Sequence, residues 1–237
     1  IGGTGPQGLG IAKRLAIAGE DVIVGSRKEE KALTVVEEAN EEIKEYNPKE
    51  LVGMANEDAA AAADVLILTV PLQAQSATLK TIKEHTKGKV LLDATVPLET
   101  AIGGPVSNVL HINPGSAAER AANILKDADV KVVAAFNNIS NSHLANIPNP
   151  IECDCLICGD DGKAKEIASD IIEKIPGLKA IDIGPLNKAH LIESITPLLI
   201  GMNIKFKSHY GGFRITGIDF ELSLIHISEP TRRTPIS

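Results

Sequence analysis

Aromatic side chains are nearly missing from this chain: Phe, Tyr and Trp make up 3% of its 237 residues, and Trp is absent. A core built without large rings must be filled by Val, Ile, Leu and Ala. Positive charge is in deficit, with 24 Lys and Arg against 31 Asp and Glu, a formal net charge of -7. That balance excludes a general electrostatic attraction to nucleic acid or to an anionic membrane. No apolar run approaches the ~20 residues of a membrane-spanning helix. Cysteine is scarce too. Cys153, Cys155 and Cys158 read C-x-C-x-x-C, but on a strand the first two share a face while the third points the other way, and no His neighbours them. They are expected to be reduced, structural thiols without a metal, as in a cytoplasmic protein.

What is present begins with "IGGTGPQGLGIAKRLAIAGEDVIVGSR". Gly3, Gly5, Gly8 and Gly10 form a loop that lets backbone pass close to a pyrophosphate at a helix N-terminus. Ile11 and Leu15, with Ala12, Ala16 and Ala18, give that helix a small apolar face. Such a loop normally follows a buried strand, of which only Ile1 and Gly2 remain. The expectation is a fragment that lacks its first strand and therefore folds poorly. At the other end, residues 223–237 ("SLIHISEPTRRTPIS") carry no periodicity and are expected to be a non-native tail.

Between these ends strands and helices alternate. "DVIVGSR", "LVGMA", "DVLILTVP", "KVLLDATVP" and "VKVVAAF" read as strands, separated by helical stretches such as "KEEKALTVVEEANEEIKEY" and "LQAQSATLKTIKEHT". Ser116 and Glu119 form a capping pattern ahead of "AAERAANILKD". This is the rhythm of an α/β protein with a Rossmann-type doubly wound parallel sheet. After residue 136 come "CLICG", the helix "KAKEIASDIIEKI", "KAIDIG" and a long apolar helix from Asn187, in which Pro197 is expected to cause a kink or break. These predict a smaller C-terminal α/β lobe over 137–222, closing on a dinucleotide-binding domain over 1–136.

The second strand ends on Gly25-Ser26-Arg27, followed by Lys28 and Lys31. An enzyme that prefers NAD places a carboxylate here for the ribose 2′-hydroxyl. A hydroxyl beside a guanidinium instead suits a 2′-phosphate, because charge-assisted forked contacts are strong. The cofactor expected is NADP(H), with Ser26, Arg27 and Lys31 as its selectors.

With those residues in place, the chain resembles the reduced coenzyme F420:NADP oxidoreductases, the NADPH-dependent 5-deazaflavin reductases. "GGTGPQGLG", "VIVGSRKEEKA", "LILTVPLQA", "LLDATVPL", "CGDDGKAKEIA" and "IDIGPLNKAHLIESITPLL" stand in that family's order. The resemblance implies a hydride-transferring oxidoreductase acting between NADP(H) and coenzyme F420. It assigns Thr4, Gly5, Pro6 and Gln7 to the pyrophosphate, Ser26, Arg27 and Lys31 to the 2′-phosphate, and Val70 and Val96 to strand ends along the cofactor. It assigns Asn137, Ile139, Ser140, Gly211 and Gly212 to the deazaflavin. Some members carry His and Pro where this chain has Asn137 and Ser140. No catalytic side chain is implied, since the two coenzymes carry the chemistry. Glu193 and Ser194 are expected to hold the second lobe or a dimer partner, with Leu198, Leu199 and Ile200 packing, and the apolar helix suggests a homodimer. The alternatives are an NADPH-dependent flavin or ferric reductase, a β-hydroxyacid-type dehydrogenase using Lys188, and a non-catalytic NADP-sensing module.

Overall fold

The computed structural model describes residues 1–218; the expected tail over 223–237 and the last residues of the expected 137–222 lobe lie outside them. In chain order the elements are α1 (Pro6–Ile17), β1 (Ile23–Ser26), α2 (Glu29–Ile43), β2 (Val52–Ala55), α3 (Asn56–Ala62), β3 (Val65–Leu68), α4 (Leu72–Ile82), β4 (Val90–Asp93), α5 (Ala117–Ile124), β5 (Lys131–Ala134), α6 (Asn141–Ala145), β6 (Asp154–Gly159), α7 (Gly162–Glu173), β7 (Lys179–Asp182) and α8 (Ala189–Phe206). Strands β3 to β7 form one five-stranded sheet in sequential order, and β1 pairs with β2 in a separate two-stranded sheet. The Ile1–Gly3 segment spans the gap between them. The Ile1 amino group donates to the Ile67 carbonyl (2.7 Å), Thr69 N–H donates to the Ile1 carbonyl (3.1 Å), and Gly3 N–H donates to the Gly25 carbonyl (2.9 Å).

Helices cover both faces, as a doubly wound sheet requires. One apolar cluster joins Leu66, Leu68 and Leu91 to Ala59 of α3, Leu79 and Ile82 of α4, Ala121 of α5 and Ile192 of α8. The other joins Leu92, Val133 and Ile157 to Ile11 and Leu15 of α1, Leu144 of α6 and Ala168 and Ile172 of α7. Small alanines on α3, α5 and α7 let the helices lie close to the strands, which is how a core with so few rings fills.

Strands β6 and β7, inside the segment expected as a second lobe, continue the same sheet. β6 is the one that departs from the expected parallel run: it pairs antiparallel to β5, whereas β7 returns parallel to β6. A parallel connection needs a crossover helix. Between β5 and β6 there is only the five-residue α6, which packs on α1, so the chain doubles back. Along β6, Cys153 and Cys155 enter one cluster and Cys158 the other, the alternation expected of a strand. Burial pushes the Cys155 and Cys158 thiols up to about 12.

Helix α8 runs unbroken through Pro197, so the expected break does not occur. The missing N–H and ring clash ordinarily cost about 3 kcal/mol or more, here offset by burial of the helix face carrying Ala189, Ile192, Glu193 and Pro197. Glu193 makes an intrachain contact: its two carboxylate oxygens accept from the Ala117 and Ala118 amides (2.9 and 3.1 Å) at the start of α5. There the Ser116 hydroxyl oxygen accepts from Glu119 N–H (3.0 Å). Ser194 Oγ turns back onto its own helix, to the His190 carbonyl (2.6 Å). Leu198, expected to pack, is 59% exposed.

Burial raises the Glu193 carboxyl to about 8 against the pull of its two amide donors, and burial raises Asp93 to about 6. Both folded values lie above the ordinary ones, so between about pH 4 and 8 the folded chain holds protons that the unfolded chain has released. Stability from these groups is therefore greatest at the acid end and falls as pH rises through that window. Urea midpoints measured from pH 5 to 8 should decline in the native chain. Glu193→Gln should lower the midpoint throughout, because an amide cannot accept from both N–H groups, yet leave a shallower decline; parallel slopes would refute the assignment.

Candidate active site

The glycine loop places the N-terminus of α1 at the strand ends. Gly5 is the N-cap in extended conformation (φ -85°, ψ 166°), no side chain caps it, Pro6 stands in the first turn, and that turn holds no acid. The leading amides are thus left for an anion, with the helix dipole favouring negative charge. A Cβ on Gly5 would meet nothing within 4 Å, so the loop is open where a phosphate would lie. Two further glycines are required by contact. A Cβ on Gly8 would stand 2.5 Å from Thr69 Oγ1 and 2.7 Å from Gly3 Cα, and one on Gly10 would stand 2.6 Å from Leu144 Cβ. Asn56, buried at the start of α3, holds the loop from below by accepting from Gly2 N–H (3.0 Å).

At the end of β1, Ser26 is buried and its Oγ accepts from Lys28 N–H (3.4 Å). Arg27 and Lys31 are exposed on either side of the start of α2. This arrangement leaves two cations in solvent beside a buried hydroxyl, suited to an esterified ribose.

Beyond the strand ends lies a cavity of about 320 Å³. It brings together Gln7, Val70, Val96, Asn137, Ile139, Ser140 and Gly211, with Thr69, Leu98, Thr196, Leu199, Ile200 and Asn203 completing the wall. Its far wall is turned in by Phe136, whose φ of +63° is rare for a bulky residue. Gln7 Nε2 donates to the Phe136 and Ile139 carbonyls, both at 3.1 Å, tying the glycine loop to this wall. Asn137 Nδ2 donates to the Asp93 and Thr95 carbonyls (3.2 and 3.1 Å), and the Asn137 carbonyl accepts from Thr196 Oγ1 (2.5 Å). Asn137 Oδ1 and Thr95 Oγ1 are buried without a hydrogen-bond partner among the described residues. Leaving a buried polar atom unpaired costs about 1–3 kcal/mol, a strain that gathers at binding sites.

The wall is held by residues that sequence reasoning passed over. Arg14, buried in α1, donates to the carbonyls of Leu144 (2.8 Å), His143 (2.8 Å), Asn146 (3.0 Å) and Asn149 (3.0 Å). It thereby fixes the segment that follows Ser140. Behind the strand ends, Gln75 donates to Asp93 (2.6 Å) and Arg120 Nε donates to Gln75 Oε1 (2.7 Å). Gly212, assigned with Gly211, does not reach the cavity: it presses on Cys153 Sγ. His143 stacks on Tyr210 at 5.4 Å and its Nδ1 lies 3.6 Å from that sulfur. Lys188 Nζ is taken by the Ile183 carbonyl (2.7 Å).

The chain as a whole has counterparts among known proteins. A family model described as NADP oxidoreductase coenzyme F420-dependent matches residues 1–97. A F420-dependent NADP reductase from Methanothermobacter marburgensis is 52% identical over 218 residues, 92% of this chain and 97% of the relative. The chain belongs to the F420-dependent NADP reductase family. Its counterpart from Methanocaldococcus jannaschii is 44% identical over 220 residues, 92% of this chain and 97% of the relative. In fold, it resembles the crystal structure of an Arthrobacter sp. FB24 protein described as an F420-dependent NADP-reductase, with a TM-score of 0.74 at 24% identity over 90% of this chain and 96% of the other.

Reversing charge at the selector tests the dinucleotide end of the site. Arg27→Glu should weaken NADPH binding at least about tenfold, one charge-assisted contact's worth, and change NADH binding little. Titrations showing equal losses for both dinucleotides would reject Arg27 as a reader of the 2′-phosphate.

Proposed function

We propose that this protein transfers a hydride between NADP(H) and the deazaflavin coenzyme F420. The observation that carries the reading is continuity: the open, uncapped start of α1 leads through Gln7 into a mostly apolar cavity at the strand ends. In this reading Thr4, Gly5, Pro6 and Gln7 hold the pyrophosphate, Ser26, Arg27 and Lys31 hold the 2′-phosphate, and Val70 and Val96 flank the nicotinamide. Asn137, Ile139, Ser140 and Gly211 receive the deazaflavin. Residues 1–136 thus serve the dinucleotide, and the segment from 137 serves the second ring.

When both are bound, the coenzymes supply the redox chemistry, a hydride passing between nicotinamide C4 and deazaflavin C5. The chain's own part is geometric. Val70, Val96, Leu98, Leu199 and Ile200 make dry walls that press two flat rings into contact and exclude water, which removes most of the orientational cost of reaction. Gln7 and Arg14 keep the wall bearing Ile139 and Ser140 from drifting away from the glycine loop. The hydride step itself requires no side-chain acid or base, and the proton that completes the neutral reduced deazaflavin is drawn from solvent.

Mixing the protein with NADPH and coenzyme F420 should bleach the deazaflavin absorbance. Bleaching that fails while free flavin is reduced would replace this reading with that of a flavin reductase, and loss of both reactions would leave an NADP-binding module.

The same helix that lines the cavity also argues for a homodimer. On α8, Leu191, Leu198, Met202 and Phe206 are exposed on one face, an apolar stripe of the kind that marks an interface, and a second copy of the chain is its proposed cover. Among the described residues no helix is long and apolar enough to cross a membrane. The scarcity of cysteine, three residues in the chain, suits a reducing, cytoplasmic setting. Light scattering should report a dimer, and Phe206→Glu should shift it toward monomer; a native monomer would remove the proposal.

A further inference from the structure

Strand β5 leaves the sheet early, pairing with β6 only at 133–134 against 158–159. On the β7 side, Lys179 N–H donates to the Cys153 carbonyl. In a parallel ladder alternate residues face alternate sides, so Asp154 and Leu156 turn their backbone groups to the side that β5 has left. Two substitutes take them. Asn138, buried at the cavity wall, donates from Nδ2 to the Asp154 carbonyl (2.7 Å) and accepts at Oδ1 from Leu156 N–H (3.1 Å). The other is the strap that follows α8, whose Phe213 carbonyl accepts from Asp154 N–H (2.8 Å). This strap turns off the helix at Lys207, in the left-handed region at φ +52°, and passes Gly211 to the cavity. Phe213 and Ile215 then pack on the cluster that holds Leu156.

Asp154 adds a bond that the ladder does not require. Its carboxylate, on a residue 5% exposed, accepts from Ile215 N–H (2.6 Å), a charge-assisted contact of the stronger kind. The strap's other side-chain ties to the wall are neutral and half-buried: Asn203 Oδ1 accepts from Gly211 N–H (2.9 Å) and Ser140 Oγ donates to the His209 carbonyl (3.2 Å). Asp154 stands outside the cavity wall, yet it joins the wall of Asn138 to the strap of Gly211. On the hydride-transfer reading, we propose that Asp154 is a positioning residue for the second ring: it pins the strap to β6 so that Gly211 and Asn138 keep the separation a deazaflavin fits. The strap carries no residue assigned to the dinucleotide, so loosening it falls on one coenzyme alone.

Binding titrations of the full 237-residue chain test this. Asp154→Ala should weaken coenzyme F420 binding about tenfold, the effect of losing one charge-assisted bond, and leave NADPH binding as in the native chain. It should also speed amide exchange at Gly211 and Ile215. Asp154→Asn retains an acceptor oxygen and should recover most of the loss. Ile215→Pro removes the same bond from the strap's side, so it decides the matter if Asp154→Ala fails to fold, and the double variant should be no worse than either single one. Equal weakening of both coenzymes would make Asp154 a general support of the fold and overturn the proposal. So would faster exchange along the strap with coenzyme F420 affinity unchanged. A native chain that binds NADPH but not coenzyme F420 overturns the hydride-transfer reading itself, and this role of Asp154 with it.

Discussion

Close approach of backbone to backbone at the glycine loop is the constraint on which the rest of this structure depends. Residues 1–10 thread past β1, β3 and the segment after Ser140 with no room for a Cβ at Gly8 or Gly10. That threading points α1 at the strand ends, and Arg14, one turn further on, reaches four carbonyls of the opposite wall. A larger residue at Gly10 would push α1 off Leu144, and the glycine loop and the cavity at the strand ends would separate. The two halves of the site are thus one mechanical object, although they come from chain segments about 130 residues apart.

The second organising element is electrostatic. Asp93, Gln75 and Arg120 form a buried chain behind the strand ends, and Glu193 caps α5 from α8. A half-satisfied polar network is worse than an apolar core, and a satisfied one specifies a unique arrangement. Here the satisfied part locks α8 against the sheet, so that Thr196, Leu199 and Ile200 are presented to the cavity. Of the unsatisfied remainder, Asn137 Oδ1 belongs to a residue of the cavity wall, whereas Thr95 Oγ1 lies behind it, next to Asp93. Asn137 also joins this wall to α8, since its carbonyl receives Thr196.

Much of the fold was readable from local pattern. Apolar runs bounded by turns mark buried strands, and those at 65–68, 90–93 and 131–134 formed where the pattern placed them. The capping by Ser116 was equally plain, because a cap depends on residues three apart. Pattern failed where long-range contact overrode a local rule. Pro197 stays inside a helix whose buried face outweighs one missing bond. β6 reverses because the segment before it, with only the short α6, stays packed on α1 and does not cross back over the sheet as a helix would. Leu198 belongs to a helix apolar on more sides than the sheet can cover, so composition could not tell which leucine is left outside.

The sequence by itself determined the alternation of strands and helices, the glycine loop and the hydroxyl–guanidinium pair after β1, since each rests on neighbours a few residues apart and on backbone sterics. Only the tertiary structure decided which distant side chains share a wall. It set Gln7 on the carbonyls of Phe136 and Ile139, Arg14 on the segment after Ser140, Glu193 on α5, and Gly212 on Cys153 away from the cavity. These pairings depend on how helices seat against a sheet, a matter of packed volume and unpaired backbone groups that no periodicity in the chain records.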